Sequence, residues 1–167
     1  IWTVSAWVKT TDPLGSVVNK GTPGVNGYSL GIGFGVSGKT QFAKNGVAIN
    51  GTTTVSDGNW HHLAGVASST GMKLYVDGIE EATSGNTANF VSQSNIVYIG
   101  SNGFCGSGCA GAFGGIIDEV AVFNRALTPA EVTQLACYWN VPNDISNSVK
   151  VRVRSASVPA IWDKSNS

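Results

Sequence analysis

The stretch that decides the fold runs from Asp57 to Gly78 and reads DGNWHHLAGVASSTGMKLYVDG. It contains a turn, a strand that begins at Trp60, a second turn, another strand and a third turn. The segment Ser68–Gly71 joins the two strands, which predicts a hairpin, and Asp77-Gly78 predicts the start of a second one. This stretch therefore indicates antiparallel β structure with short strands and tight turns.

The same pattern extends over most of the chain, with strands predicted about every 8–12 residues. The segment from Tyr28 to Phe34 is predicted as one strand, with Tyr28, Leu30, Ile32 and Phe34 on one side. Its other side carries only Ser or Gly, and the small side chains there would allow a neighbouring sheet or a ligand to approach closely.

One helix is predicted near the end of this pattern. Thr128 is a favourable N-cap, Pro129 suits the first helical position and Glu131 completes a capping box. Val132 begins its apolar stripe, and we expect the helix to end near Tyr138.

Composition limits the function classes. The chain has 167 residues, of which 12% are charged, and its formal net charge is zero. It is long enough for one domain with a real core. A neutral chain gives no electrostatic reason to bind nucleic acid or anionic membranes, and no apolar run approaches the ~20 residues of a membrane-spanning helix.

Two ordered motifs carry a family resemblance: WHHLAGV followed by KLYVDG in the Asp57–Gly78 stretch, and GIIDEVAVFNRALTPAEV from Gly115 to Val132. Together they resemble laminin-G-like domains of the concanavalin A-like lectin/glucanase superfamily. The resemblance implies an all-β antiparallel sandwich (a jelly roll) with one short C-terminal helix, over residues 1–140. It also implies a non-catalytic extracellular or cell-surface module for recognition or adhesion, which binds carbohydrate or glycoprotein.

Catalysis is not expected. Glucanases of this superfamily carry E-x-D-x-x-E on one strand, because glycoside hydrolysis needs two carboxylates ~5–10 Å apart. Here Ile116 and Ala121 stand where the glutamates would be. Asp118 and Glu119 are adjacent, so we expect them to point to opposite faces.

Sugar binding needs exposed aromatic rings together with amide or carboxylate groups. The candidates in predicted loops are Asn26 with Tyr28, and Asn102 with Phe104. We interpret Trp2, Trp7 and Trp60 as core residues, because they lie in predicted strands.

The two histidines are adjacent, so we expect them on opposite faces of one strand. His62 shares its face with Trp60 and Ala64, which predicts a hydrogen-bonded core histidine. His61 is then the one nearer the surface.

A structural Ca²⁺ is implied by the resemblance, because many laminin-G-like domains hold one through carboxylates and backbone carbonyls. The match makes Asp118 its possible ligand. The alternative is that Asp118 bonds turn amides or pairs with Arg125.

The three cysteines are Cys105, Cys109 and Cys137. A disulfide between Cys105 and Cys109 is plausible, with two free thiols or a metal site as alternatives. A disulfide would indicate an oxidising, extracytoplasmic setting. Cys137 lies in an apolar run and is predicted to be a buried thiol.

Residues 141–167 form a C-terminal tail outside the family motifs. Segment 149–154 alternates valines with Lys150, Arg152 and Arg154, which predicts an amphipathic strand. The family's own first strand normally precedes the segment at Thr3, and almost nothing precedes it here. We therefore expect the tail strand to fill an open edge, in its own domain, in another copy or in another domain. Assembly by strand addition, as in a filament, pilus, sheath or virus-like particle, is the alternative function.

Overall fold

The computed structural model describes residues 1–21, 27–85, 96–103 and 111–137. These residues form short strands and, near the end, one helix. The elements are β1 (Trp2–Lys9), β2 (Gly15–Lys20), β3 (Tyr28–Ile32), β4 (Lys39–Lys44), β5 (Val47–Thr54), β6 (Trp60–Ser68), β7 (Gly71–Val76), β8 (Ile79–Ser84), β9 (Val97–Ile99), β10 (Ile116–Phe123) and α1 (Pro129–Cys137).

The strands build two five-stranded sheets with one core between them. Sheet 1 has the order β10-β1-β6-β7-β8, and sheet 2 has the order β5-β4-β3-β2-β9. Every strand pair in both sheets is antiparallel. The predicted all-β jelly-roll sandwich with a short C-terminal helix is confirmed.

Alternation along β1 shows how the core is made. Val4, Ala6 and Val8 are fully buried between the sheets. Trp2 extends the same face, and its ring lies against that of Tyr28 with the centroids 4.3 Å apart. Since neighbouring strand residues point to opposite faces, every second residue of β1 contributes to the core.

Two hairpins turn at dipeptides that favour a tight turn, Asn45-Gly46 and Asp77-Gly78. Asn45 and Gly46 have φ values of 47° and 81°, and Asp77 and Gly78 have φ values of 51° and 80°. Two successive residues with positive φ match the tight turn that suits antiparallel strands, and Asn-Gly and Asp-Gly adopt it most easily.

The outer face of sheet 1 is partly covered by α1. A second buried cluster forms there from Ala64, Val66, Tyr75, Leu127 and Val132. The prediction that Trp7 and Trp60 belong to the core is wrong. Both alternate with core residues and therefore lie half-buried on this outer face.

The helix begins as predicted. The Glu131 amide donates to the Thr128 hydroxyl at 3.3 Å, and the Thr128 amide donates to the Glu131 carboxylate at 2.8 Å. The prediction of a buried thiol at Cys137 is wrong, because Cys137 lies on the exposed side of the last turn while Val132 faces the sheet. No helix in the described part of the chain has the length and apolar character that a membrane span requires.

Among the described strands, β9 and β10 form the edges of the two sheets along one side of the sandwich. Val97 and Ile99 pair with inward-facing positions of β2, and Val122 pairs with Val4, yet all three are exposed. The predicted tail strand 149–154 lies outside the described residues.

Candidate functional site

The strand predicted from Tyr28 to Phe34 is shorter in the structure, and Phe34 lies outside β3. The strand ends at Ile32, and Gly33 has a φ of 81°, which breaks the alternation. A side chain at Gly33 would collide with the Pro13 carbonyl at 2.0 Å, so only glycine allows this close turn. Phe34 therefore crosses to the outer face of sheet 2, where it is 43% exposed.

The ring of Phe34 lies over Gly31. A Cβ atom built on Gly31 would be 2.8 Å from Phe34 Cε2, and that position points away from the core because Leu30 and Ile32 point into it. The smooth Ser and Gly side that the sequence predicted for β3 is thus occupied at one end by an aromatic ring.

Side-chain amides lie on the same face as this ring. Gln41 Nε2 donates to Asn50 Oδ1 at 2.9 Å, and both atoms lie against Gly35, the residue that follows Phe34. Asn102 lies on another side. A Cβ atom built on Gly111 would be 3.3 Å from Phe34 Cζ and 2.8 Å from Asn102 Nδ2, so the ring and this amide are neighbours. We call Phe34, Gln41, Asn50 and Asn102 the Phe34 surface.

Two buried polar groups lie on the same face, one strand away. A bulge between Ser16 and Val18 turns Val17 and Val18 into the core and leaves Ser16 and Asn19 on the outer side. Both are 1% exposed, and Ser16 Oγ and Asn19 Oδ1 have no hydrogen-bond partner among the described residues. Asn19 Nδ2 donates to the Asn102 carbonyl at 3.1 Å, which ties β2 to the Phe34 surface.

The predicted sugar-binding residues have different outcomes. Tyr28 is 4% exposed and packs against Trp2, so the prediction that its ring is available to a sugar is wrong. Asn102 lies on the Phe34 surface, and its role in binding stays a prediction. Asn26, Phe104 and the cysteine pair Cys105 and Cys109 lie outside the described residues.

His61 forms a cluster of three titratable side chains together with Asp57 and Asp77. Its Nδ1 lies 2.7 Å from Asp77 Oδ2 and its Nε2 lies 3.2 Å from Asp57 Oδ1. The Asp77 hydrogen bond raises the pKa of His61 despite burial. Burial opposes ionisation of Asp77, but the hydrogen bonds from His61 and the His62 amide hold its pKa below the usual range.

This cluster joins the turn before β6 to the turn after β7, and both ring nitrogens of His61 are engaged. We interpret it as a structural contact. His61 lies nearer the surface than His62, as predicted, because it is 9% exposed and His62 is 2% exposed.

His62 lies on the outer face of sheet 1, beside the ring of Trp7 at a centroid distance of 5.4 Å. It is buried as predicted, but the predicted hydrogen bond of its ring is not found: Nδ1 has no partner within the described chain. Burial lowers the pKa of His62 to about 4, so the ring is neutral at pH 7.

Asp118 lies within β10, opposite Trp7, and its carboxylate accepts the Glu119 amide at 2.7 Å. Arg125 pairs with Glu131 instead of Asp118. Within the described ranges, no group of three or more His, Cys, Asp or Glu side chains could hold a metal ion. These residues do not fit a calcium cage built from side chains, and the Ca²⁺ role of Asp118 stays a prediction that a change in melting temperature with EDTA would test.

The match to known families agrees with this architecture. Residues 1–133 match the concanavalin A-like lectin/glucanases superfamily, and the chain belongs to this family. No curated protein sequence matches the chain significantly.

Solved structures with the same fold include a predicted carbohydrate-binding protein from Bacteroides ovatus, with 25% identity and a TM-score of 0.64 over 80% of this chain and 40% of that one. Another is domain 4 of AbnA, a GH43 extracellular arabinanase from Geobacillus stearothermophilus, in complex with arabinotriose. It has 27% identity and a TM-score of 0.63 over 81% of this chain and 66% of that one.

A third is the CBM40 of the Ruminococcus gnavus IT-sialidase bound to α2,3-sialyllactose, with 17% identity, a TM-score of 0.61, and coverage of 81% of this chain and 82% of that one. This third likeness concerns the fold alone. The chain spans about two fifths of the Bacteroides protein and two thirds of the arabinanase chain.

Proposed function

We propose that this domain is a non-catalytic carbohydrate-binding module and that the Phe34 surface is its sugar site. The observation that carries the proposal is one exposed aromatic ring with the Asn102 amide beside it and the Gln41 and Asn50 amides against the next residue, Gly35. An aromatic face stacks on the apolar C–H face of a sugar ring. Amides donate and accept hydrogen bonds at once, as sugar hydroxyls require.

The relatives support this choice of ligand. The Bacteroides protein is described as carbohydrate-binding, and the arabinanase domain is seen with arabinotriose. Both belong to chains longer than this one, so we carry over the class of ligand and not the activity of the whole proteins. Arabinotriose is the first saccharide to test.

The carboxylates of the described residues support a non-catalytic role. Hydrolysis needs one free acid and one free carboxylate across the scissile bond. Here most are engaged in local contacts: Asp57 and Asp77 with His61, Glu80 with Lys73, Glu81 with Thr52 and Thr53, Glu131 with Thr128 and Arg125.

We further propose an extracellular or cell-surface setting, where glycans or glycoproteins are the partners.

Calorimetric titration of a panel of soluble oligosaccharides tests the proposal. The panel holds arabinotriose, xylotetraose, cellotetraose and lactose. We expect at least one of them to bind and Phe34→Ala to abolish that binding. Val36→Ala is the matched control, because Val36 lies in the same loop and is similarly exposed. Equal binding by wild type and Phe34→Ala would refute the site.

A second candidate is a subunit of a surface assembly, and the apolar residues exposed at the edge strands β9 and β10 favour it. Val97, Ile99 and Val122 expose apolar side chains in inward-facing register at the edges β9 and β10. Segment 149–154 offers three alternating valines that match such an edge. In this proposal, that segment of a second copy adds a strand to β9.

A further inference from the structure

Charge is distributed very unevenly along this sequence. The chain has no Lys, Arg, Asp, Glu or His between Lys20 and Lys39, and none between Glu81 and Asp118. These are its two longest uncharged stretches. A chain that is 12% charged overall would ordinarily place several charges in segments of this length.

The fold brings the two uncharged stretches together on the outer face of sheet 2. The first stretch supplies β3 and Phe34, and the second supplies β9 and Asn102. They meet where Phe34 and Asn102 approach Gly111. The parts of these stretches that lie outside the described residues are uncharged as well.

Among the described residues, one cation lies on this face. Lys39 is two residues before Gln41 in β4, and its ammonium donates to the Thr52 carbonyl at 2.6 Å and to the Thr54 hydroxyl at 2.7 Å. Both partners belong to the end of β5, so the ammonium is held at the edge of sheet 2.

Resting on the proposed function, we infer that the Phe34 surface selects uncharged saccharides and discriminates against sialylated, uronic or sulfated ones. An acidic sugar that loses water at a protein surface needs a charge-assisted hydrogen bond from Arg or Lys to compensate. Gln41, Asn50 and Asn102 offer neutral amides, which suit hydroxyl groups. The two buried, unpartnered atoms on this face, Ser16 Oγ and Asn19 Oδ1, are neutral as well.

Matched pairs of saccharides test the inference. The probes are lactose against 3′-sialyllactose, and xylotetraose or arabinotriose against trigalacturonate, each titrated in low and in high NaCl. We expect the neutral member of a pair to bind at least about tenfold more tightly, with an affinity that salt leaves unchanged.

Lys39→Met is the discriminating variant. We expect it to leave neutral binding unchanged. Tighter binding of the acidic member, weakened by salt and lost in Lys39→Met, would overturn the inference while leaving carbohydrate binding intact. If no member of any pair binds, both the inference and the proposed function are refuted.

Discussion

At the residue scale, His62 is the side chain whose charge the fold tolerates least. Burial lowers its pKa to about 4, whereas a histidine in the unfolded chain titrates near 6.5. The unfolded state therefore binds the proton more tightly, and stability falls as the pH drops from about 6.5 to about 4. The expected loss is about 3 kcal/mol.

His62→Gln should remove this loss. Urea unfolding of wild type and variant at pH 7.5 and pH 4.5 measures it, because the carboxylates that titrate at low pH are common to both proteins. A wild type that loses no more stability than the variant between these two pH values would contradict the buried, neutral state of His62.

His61 should show the opposite pH dependence. Its folded pKa is raised by the hydrogen bond with Asp77, so its stabilisation is fully present below about pH 6.5 and is lost as the pH rises through the folded pKa. His61→Gln is therefore expected to cost more stability at pH 6 than at pH 9, again measured by urea unfolding. An equal cost at both values would show that the two aspartates do not favour the protonated ring.

Residue-level features of the candidate site were only partly accessible from the sequence. Asn102 was predicted because it is an amide in a predicted loop close to the aromatic Phe104. Phe34 was missed, because alternation from Tyr28 placed it on the inner side. The available signal was its position between Gly33 and Gly35, since glycine permits the positive φ that ends the alternation.

At the element scale, the approach of the two sheets depends on Gly65. A methyl group there would lie 2.4 Å from the Phe42 ring, so Gly65→Ala forces a shift in the core. We expect a destabilisation of about 1–3 kcal/mol, measured by chemical denaturation. Gly85→Ala is the control, because a Cβ at Gly85 meets nothing within 4 Å. Equal effects of both substitutions would contradict the close packing at Gly65.

The capping box sets the start of α1. Thr128→Ala removes a hydroxyl that accepts the Glu131 amide, and the expected cost is about 1 kcal/mol. Gln134→Ala, at an exposed position of the same helix, should change stability by less than about 0.5 kcal/mol. Thermal unfolding of both variants checks the difference. If Thr128→Ala is as stable as the wild type, packing of Val132 and Leu127 alone fixes the helix.

Elements with a strong local cause were predictable. Asn45-Gly46 and Asp77-Gly78 adopt their turns through backbone preference, and Thr128 with Glu131 caps α1 through local hydrogen bonds. Trp7 and Trp60 were misplaced because a strand pattern does not tell which face meets the other sheet and which lies outside.

At the scale of the whole molecule, the second candidate function makes a prediction about assembly. If segment 149–154 of one copy pairs with β9 of another, the full chain forms oligomers that grow with concentration. Deletion of residues 141–167 then gives a monomer, because the edge loses its added strand. Light scattering during size-exclusion chromatography measures both forms. A monomer in both forms, or equal oligomers in both, would contradict strand addition by the tail.

The family was accessible from two ordered motifs, and the match over residues 1–133 confirms it. The ligand was not accessible in the same way, because many functions use this fold. The surface that bears the proposed function arises from residues far apart in sequence, such as Phe34 and Asn102, which only the folded chain brings together.

The most direct test is an NMR titration of the ¹⁵N-labelled chain with the neutral oligosaccharide that binds best in the panel. We predict that the largest shift changes occur at Phe34 and Gly35 and at the side-chain amides of Gln41, Asn50 and Asn102. Changes centred instead on Trp7 and Trp60, on the outer face of sheet 1, would contradict the Phe34 surface as the sugar site.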